Sequence, residues 1–228
     1  MLNMKSRLFS LLVASTLAVL GIAGPALAED AFPALTVSEE REMRSNMTSL
    51  GIDGPTQERL IDKVEAGVLP DSLNPNAQPV ETILVDTVGE EGQIAVYADG
   101  SRSKATVEKA SSAEVRASGG SISKCKVKTF SGGSNYSDCL VKVSHLLYVG
   151  QFNASYTLAN GGNSYISSAY NWACAGFGCT IESTGIRKKS ADLNGPAKAE
   201  MRVRISGGPV ATTGYVQLFV KGAKAWTN

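Results

Sequence analysis

The sequence predicts a mainly β protein, in which two short helices and a small β-meander precede a C-terminal antiparallel β-sandwich or barrel. From residue 124 onward, short runs of alternating apolar and polar residues recur between glycine- and asparagine-rich turns. All four cysteines lie between Cys125 and Cys179, which is typical of a disulfide-stapled exported domain. Apolar residues at helical spacing occur between residues 38 and 67.

The first 28 residues have the pattern of a secretory signal peptide. Lys5 and Arg7 precede an apolar run over residues 8–23, and Ala26-Leu27-Ala28 supplies the small residues of a cleavage site. An uncleaved membrane anchor is the alternative. We expect residues 1–28 to be removed, and the mature protein to be secreted without a membrane span.

The remaining chain divides into three predicted parts. Residues 29–80 form a helical N-terminal segment and linker, residues 81–120 a small β-meander and linker, and residues 121–228 a disulfide-stapled antiparallel β domain. The first helix is expected to begin at a Ser38 N-cap. The strongest turn signal of the meander is Asp99-Gly100.

A β-hairpin over Cys139–Leu158 is expected to organise the C-terminal domain. Its apolar alternation changes phase at Gly150-Gln151, which predicts a two-residue turn with Val149 opposite Phe152. A bulge in one long strand would change the phase in the same way. In the hairpin register, His145 lies on the buried face opposite Tyr156.

Two other strands carry predictions about which residues share a face. Residues 197–206 alternate most clearly, with Ala197, Ala199, Met201, Val203 and Ile205 inward and Lys198, Glu200, Arg202 and Arg204 outward. In an earlier strand we expect Ile166, Tyr170 and Trp172 to share a face.

Two local disulfides are predicted, although four cysteines allow three connectivities. Cys125–Cys139 and Cys174–Cys179 each bracket a glycine-bearing turn. The first closes a loop of about 15 residues, which stabilises the fold by about 3 kcal/mol in the chain-entropy model. A zinc site is the rival interpretation, but the spacing lacks CxxC pairs and the chain has a single histidine.

Charge is distributed unevenly along the chain. Residues 29–120 contain 17 acidic and 8 basic residues, a net charge of −9, whereas residues 121–228 contain 4 acidic and 12 basic residues, a net charge of +8. This asymmetry predicts either an external polyanionic partner or an interaction with the acidic N-terminal segment of the same chain.

A basic face is the candidate binding surface. It would comprise Lys124, Lys126, Lys128, Arg187, Lys188, Lys189, Arg202 and Arg204. The polyanions that would fit are teichoic acid, anionic lipid headgroups and acidic glycans, with nucleic acid the least expected. Tyr148, Trp172, Phe177 and Trp226 could add a platform for stacking sugars, or could belong to the core.

No catalytic site, metal site or cofactor is expected. His145 is the sole histidine, Asp138 is too far along the strand to orient it, and no Gly-x-Ser-x-Gly motif is present. Glu182 and Glu200 are the strand-borne carboxylates, and cross-strand ion pairs are their expected role rather than glycosidase chemistry.

The order of parts resembles a loose group of secreted proteins from high-GC Gram-positive bacteria. The similarity rests on Ala26-Leu27-Ala28, the segment LGIDGPTQERLIDKVEAGVLPDSL at 50–73, the Tyr-x-Asp-Gly-Ser hairpin at 97–101 and the Cys125–Cys139 opening of the β domain. The resemblance implies an exported bacterial protein and supplies no activity and no site residues.

Together these observations predict a secreted, non-catalytic β-sandwich that binds at the cell envelope or to an extracellular anionic polymer. The alternative is a secreted antibacterial protein or enzyme inhibitor in which the acidic segment 29–120 is a removable pro-segment.

Overall fold

The computed structural model describes residues 34–110, 124–161 and 163–228. The predicted signal peptide lies outside these residues, as does the segment 111–123 in which the last domain boundary is predicted. Two helices and a 3-10 turn come first: α1 (Val37–Ser49), α2 (Gly54–Glu65) and the turn Asp71–Leu73. Eleven strands follow among the described residues: β1 (Glu81–Asp86), β2 (Glu90–Val96), β3 (Arg102–Glu108), β4 (Lys126–Phe130), β5 (Gly133–Ser144), β6 (Tyr148–Ala159), β7 (Tyr165–Gly176), β8 (Cys179–Lys188), β9 (Ala197–Gly207), β10 (Val210–Lys221) and β11 (Lys224–Thr227).

The strands form two antiparallel sheets, consistent with the predicted β-sandwich. Sheet A has seven strands in the order β1-β2-β3-β5-β6-β7, with β4 also paired to β5, and sheet B has four in the order β11-β10-β9-β8. One edge of β5 is shared, because β4 pairs with its first half and β3 with its second. The predicted meander and the predicted C-terminal domain therefore belong to one sheet. A three-stranded meander buries too little apolar surface to stand alone, and pairing with β5 supplies the missing support.

The two helices pack at one end of the sandwich. Asn46 Nδ2 of α1 donates to the carbonyl of Leu146 in the β5–β6 turn at 3.2 Å, and Arg102 Nη1 at the start of β3 donates to the carbonyl of Leu50 at 3.2 Å. Met43 and Met47 are buried in the same apolar cluster as the inner faces of both sheets. Since helices this short are marginal in isolation, this packing is what stabilises them.

The start of α1 differs from the prediction. Its N-cap is Thr36 rather than Ser38, which lies in the first turn. Thr36 Oγ1 accepts from the Glu39 backbone N at 3.2 Å, and Glu39 Oε2 accepts from the Thr36 backbone N at 2.8 Å. This reciprocal capping box satisfies two helix-end donors, whereas a serine cap alone would satisfy one.

The β5–β6 hairpin exists, but its predicted turn is wrong. The chain turns at residues 145–147, where the His145 backbone N donates to the carbonyl of Tyr148 at 2.8 Å, and Val141 rather than Val149 lies opposite Phe152. Gly150 lies inside β6 and faces sheet B: a Cβ added there would be 2.4 Å from Val216 Cγ2. The glycine permits close approach of the sheets. The phase of the buried positions changes at the turn itself, because Leu147 and the next residue, Tyr148, are both buried there.

Strand β7 also departs from the predicted alternation. Ile166 is buried and Trp172 packs on Phe152 with ring centroids 4.3 Å apart, but Tyr170 donates its hydroxyl to Asp138 on the opposite side of the sheet. The β6–β7 register shifts twice, and Asn171 adopts a left-handed φ of 54°. These bulges place Tyr170 on the other face.

Both predicted disulfides are confirmed. Cys125 is joined to Cys139, which holds the start of β4 against β5, and Cys174 is joined to Cys179 across the β7–β8 turn. Such bonds indicate an oxidising compartment. No helix among the described residues has the length and apolarity needed to cross a bilayer.

Asp99 joins the linker after α2 to the β2–β3 turn, which lies at the predicted Asp99-Gly100. Its Oδ2 accepts from Lys63 Nζ and from the Asp71 backbone N, both at 2.8 Å, and its Oδ1 accepts from the Ser101 backbone N at 2.9 Å. Burial raises the pKa of Asp99, but these hydrogen bonds outweigh burial and hold the pKa below its ordinary value.

We expect Gly150→Ala to lower the free energy of unfolding by about 1–3 kcal/mol, because the added methyl meets a buried, stiff β-branched side chain. Urea unfolding measures this. Gly89→Ala is the control, because Gly89 has open space at its Cβ position; that variant should remain within about 0.5 kcal/mol of the wild type. Equal effects of the two substitutions would contradict the sheet-packing role of Gly150.

We expect Asp99→Asn to destabilise the fold by about 1–3 kcal/mol, because the substitution leaves Lys63 and two backbone donors facing an amide. The stabilisation by the Asp99 carboxylate should also fade as the pH falls below about 4, because a group with a depressed folded pKa stabilises fully above its unfolded pKa and loses that contribution as the pH falls through its folded pKa. Asp86→Asn is the matched control: this carboxylate is 78% exposed and pairs with Lys109, so we expect a change of less than about 0.5 kcal/mol. The role assigned to Asp99 fails if both variants unfold at the same urea concentration.

Candidate functional site: the outer face of sheet B

The outer face of sheet B collects cations because of the alternation in β9. Ala199, Met201 and Val203 are fully buried, so the side chains between them point to solvent. Arg202 and Arg204 are both exposed on this outer face. The inward and outward sets predicted for residues 197–206 are therefore confirmed.

Strand β10 adds aromatic side chains to the same face. Tyr215 lies opposite Arg202 and Phe219 opposite Lys198 in the β9–β10 register, and Trp226 of β11 lies opposite Phe219. Residues that pair directly across neighbouring strands share a face of the sheet. Aromatic and cationic side chains therefore alternate over three adjacent strands.

The aromatic side chains are partly open to solvent, and two of them are held in place by their neighbours. Phe219 and Trp226 stack with ring centroids 5.6 Å apart and 18° between their planes, and Lys198 Nζ lies 5.6 Å from the Phe219 centroid. Trp226 is 41% exposed and Tyr215 42% exposed. Stacking and the cation–π contact orient Phe219 and Trp226, and the exposed parts of Trp226 and Tyr215 leave surface free for a ligand.

Positive charge exceeds negative charge on this surface, which we call the cationic aromatic face. It comprises Arg187, Lys198, Arg202, Arg204, Lys221 and Lys224 with Tyr215, Phe219 and Trp226, and its acids among the described residues are Glu182 and Glu200.

Glu200 is neutralised within the face. It accepts from Lys198 at 2.6 Å, from Arg187 at 3.3 Å and from Gln217 at 2.6 Å. Burial raises the pKa of Glu200, but these partners outweigh it and hold the pKa below its ordinary range. Glu182 pairs with Arg202 at 2.9 Å. Both carboxylates therefore form the predicted ion pairs.

The eight residues of the predicted basic face lie on two different sheets. Lys126 and Lys128 are on β4 of sheet A, and Lys124 precedes that strand. The other five belong to sheet B or directly follow β8, and they are Arg187, Lys188, Lys189, Arg202 and Arg204. Lys126 lies 3.9 Å from Asp138, and Lys188 pairs with Asp192. The structure thus brings Arg187, Arg202 and Arg204 together and separates them from the three β4-side lysines.

Except for Trp226, the sequence interpretation missed the residues that β10 and β11 contribute. Phe219, Lys221 and Lys224 join the face only through strand pairing. Because β10 carries apolar residues on both sides, its alternation alone does not reveal which side is outward. The signal was present in the outward set of β9, against which any antiparallel partner must place its own outward residues.

The four aromatic residues considered as a sugar platform lie in different parts of the structure. Tyr148 and Phe177 are fully buried, and Trp172 packs against Phe152. Trp226 is on the cationic aromatic face.

Among the described residues, no side chain of the acidic half forms a salt bridge with this face. Every salt bridge among the residues that the structure describes joins two side chains of the same half, such as Arg44 with Glu58 or Arg202 with Glu182. The predicted intramolecular shielding therefore gains no support from the described ion pairs.

His145 lies in the β5–β6 turn rather than opposite Tyr156. Its ring stacks on Tyr148 with centroids 4.9 Å apart, and its Nδ1 is buried without a hydrogen-bond partner among the described residues. Burial lowers the pKa of His145 to about 4, so the ring is neutral at neutral pH. Within the same described ranges, no cluster of three histidine, cysteine or acidic side chains could hold a metal ion.

No protein-family model, curated protein or solved structure matches this chain.

We expect His145 to make stability depend on pH. Because its folded pKa is depressed, the unfolded chain binds a proton between about pH 6.5 and pH 4 that the folded protein does not, so stability falls as the pH drops through that range. Urea unfolding at about pH 7 and about pH 5 should show a smaller pH effect in His145→Gln, which cannot titrate, than in the wild type. Identical pH effects in the two proteins would contradict the buried, neutral ring.

Proposed function

We propose that this protein is an exported, non-catalytic β-sandwich that binds an extracellular anionic polysaccharide through the cationic aromatic face. The observation that carries the proposal is the register that sets Arg202 beside Tyr215, and Lys198 beside the stacked Phe219 and Trp226. Six cations and three aromatic rings share one solvent-facing surface with two acids that are already paired.

The chemistry of the face fits a charged sugar polymer better than a polyanion that offers charge without sugar rings. Arginine forks and lysine ammonium groups bind carboxylates, sulfates or phosphates along a chain. Exposed faces of Tyr215 and Trp226 offer apolar area on which sugar rings stack. A flat sheet lets both kinds of contact repeat along an extended ligand.

Export is part of the proposal. The signal-peptide pattern of residues 1–28 directs the chain out of the cytoplasm. The two disulfides suit an oxidising environment, where they persist. Anionic cell-wall and extracellular polymers are the polyanions found in that location.

Packing argues against the alternative of a removable pro-segment. Segment 29–120 supplies β1, β2 and β3 to sheet A, and it supplies buried side chains such as Met47 and Leu60 to the common core. Its removal would expose an edge of β5 and much of that core. We therefore favour a single folded unit that acts intact.

We expect the double variant Arg202→Ala/Arg204→Ala to bind polygalacturonate about tenfold more weakly at low salt, and with a smaller dependence on salt, because two charge contacts are lost. Trp226→Ala should weaken binding while leaving the salt dependence unchanged. Titration calorimetry at several NaCl concentrations measures both effects, and neutral dextran serves as the uncharged polymer.

Lys126→Ala/Lys128→Ala is the matched control, since it removes two exposed cations from sheet A instead. We expect it to bind polygalacturonate as the wild type does. An equal loss in the two double variants would assign binding to overall charge, and no loss in either would remove the face from the function.

A further inference from the structure

A cleft of about 640 Å³ opens between the two sheets, beside the free edge of β10. It exists because β11 pairs with β10 only over Leu218–Lys221, so the first part of β10 has no strand on that side among the described residues. Sheet A extends beyond this edge through β1, β2 and β3. The volume lies within the range of small-molecule sites.

The floor of the cleft is the inner face of β2 and β3. Gln93 lies opposite Ala105, and Ala95 opposite Ser103, so these four side chains share one face of the sheet. Ala95 and Ala105 are buried and small, which makes the floor flat. Gln93 is exposed and Ser103 half-buried, so a ligand can reach this face at those two positions.

Unpartnered polar side chains surround that floor. Gln93, Tyr97, Ser103 and Thr212 line the cleft, and none of their side chains forms a hydrogen bond with another residue that the structure describes. Amide and hydroxyl groups both donate and accept, so the wall can satisfy a ligand that carries several hydroxyls. Gln93 is exposed, whereas Tyr97, Ser103 and Thr212 are half-buried, and half-buried polar groups without protein partners are expected to find them in water or in a ligand.

The described lining of the cleft contains no aspartate, glutamate, lysine or arginine. Among these lining residues His145 stacks on Tyr148, and burial keeps the histidine neutral at neutral pH. A charged ligand would lose hydration here without gaining an ion pair to a described lining side chain. The chemistry therefore suits an uncharged, hydroxyl-rich molecule with one apolar face.

We propose that this cleft binds a neutral saccharide unit over the floor formed by β2 and β3, with the sugar hydroxyls bonded to Gln93, Ser103 and Thr212. The site is separate from the cationic aromatic face, although Tyr215 borders both. It does not depend on whether that face binds an anionic polymer.

The test is methyl NMR of the full mature chain, labelled at alanine and threonine methyl groups, with the neutral trisaccharides maltotriose, cellotriose, laminaritriose and chitotriose. We expect at least one of them to shift the methyls of Ala95, Ala105 and Thr212 in a saturable way, while the core methyls of Ala154 and Ala199 stay unchanged. Because the ligand is uncharged, the affinity should not change between about 0.05 and 0.5 M NaCl.

Gln93→Ala/Ser103→Ala should weaken that binding about tenfold, because two hydrogen bonds are lost. Gln151→Ala/Ser134→Ala is the matched control, since the same residue types are removed from positions that do not line the cleft. Urea midpoints of the two double variants show whether either has lost its fold. Arg202→Ala/Arg204→Ala should retain trisaccharide binding, which separates failure of this site from failure of the polymer face.

Three results would overturn the proposal. The first is the absence of saturable shifts at the cleft methyls with all four trisaccharides. The second is equal weakening by the two double variants. The third is a response of the same methyls to an uncharged hexapeptide of alternating threonine and alanine but not to sugars, which would make the cleft a site for strand addition at β10.

Discussion

The close approach of the two sheets is the constraint on which the rest of the structure depends. A Cβ at Gly150 would lie 2.4 Å from Val216 Cγ2, and one at Gly214 would lie 2.5 Å from the Tyr148 hydroxyl. Each glycine therefore receives a large side chain from the opposite sheet. Because interiors pack at crystal-like density, these two contacts determine how near the sheets lie and which side chains the core can hold.

That constraint also determines where chemistry is available. The inner face of sheet B is committed to the core through fully buried residues such as Met201 and Leu218, so its ligand-binding potential lies on the outer face. Sheet A has seven strands and sheet B four, and the difference leaves β1 to β3 partly uncovered. One surface thus gathers charge and aromatic rings, whereas the other is a neutral cleft. The two call for ligands of different chemistry.

Some features of the site follow from local patterns and some do not. The outward cations of β9 could be predicted because alternation is a property of one strand. The grouping of Lys126 with Arg202 failed because charge along a sequence does not say which sheet carries it. The turn placed at Gly150 was wrong because a glycine required by a neighbouring sheet resembles a glycine required by a turn. For the same reason His145 was predicted in the strand, whereas it lies in the turn.

The sequence by itself determined the features that depend on residues close together in the chain. These are the two helices, the alternation of β9, the Asp99-Gly100 turn and the two disulfides that each close a short loop. Only the tertiary structure decided the pairing of β3 with β5, the seating of Phe219 beside Lys198, and the cleft beside β10. These depend on contacts between residues far apart in the chain, where many pairings satisfy the same alternation. The packing of complete sheets against each other selects among these pairings, because the residues of a single strand do not specify which strand it pairs with.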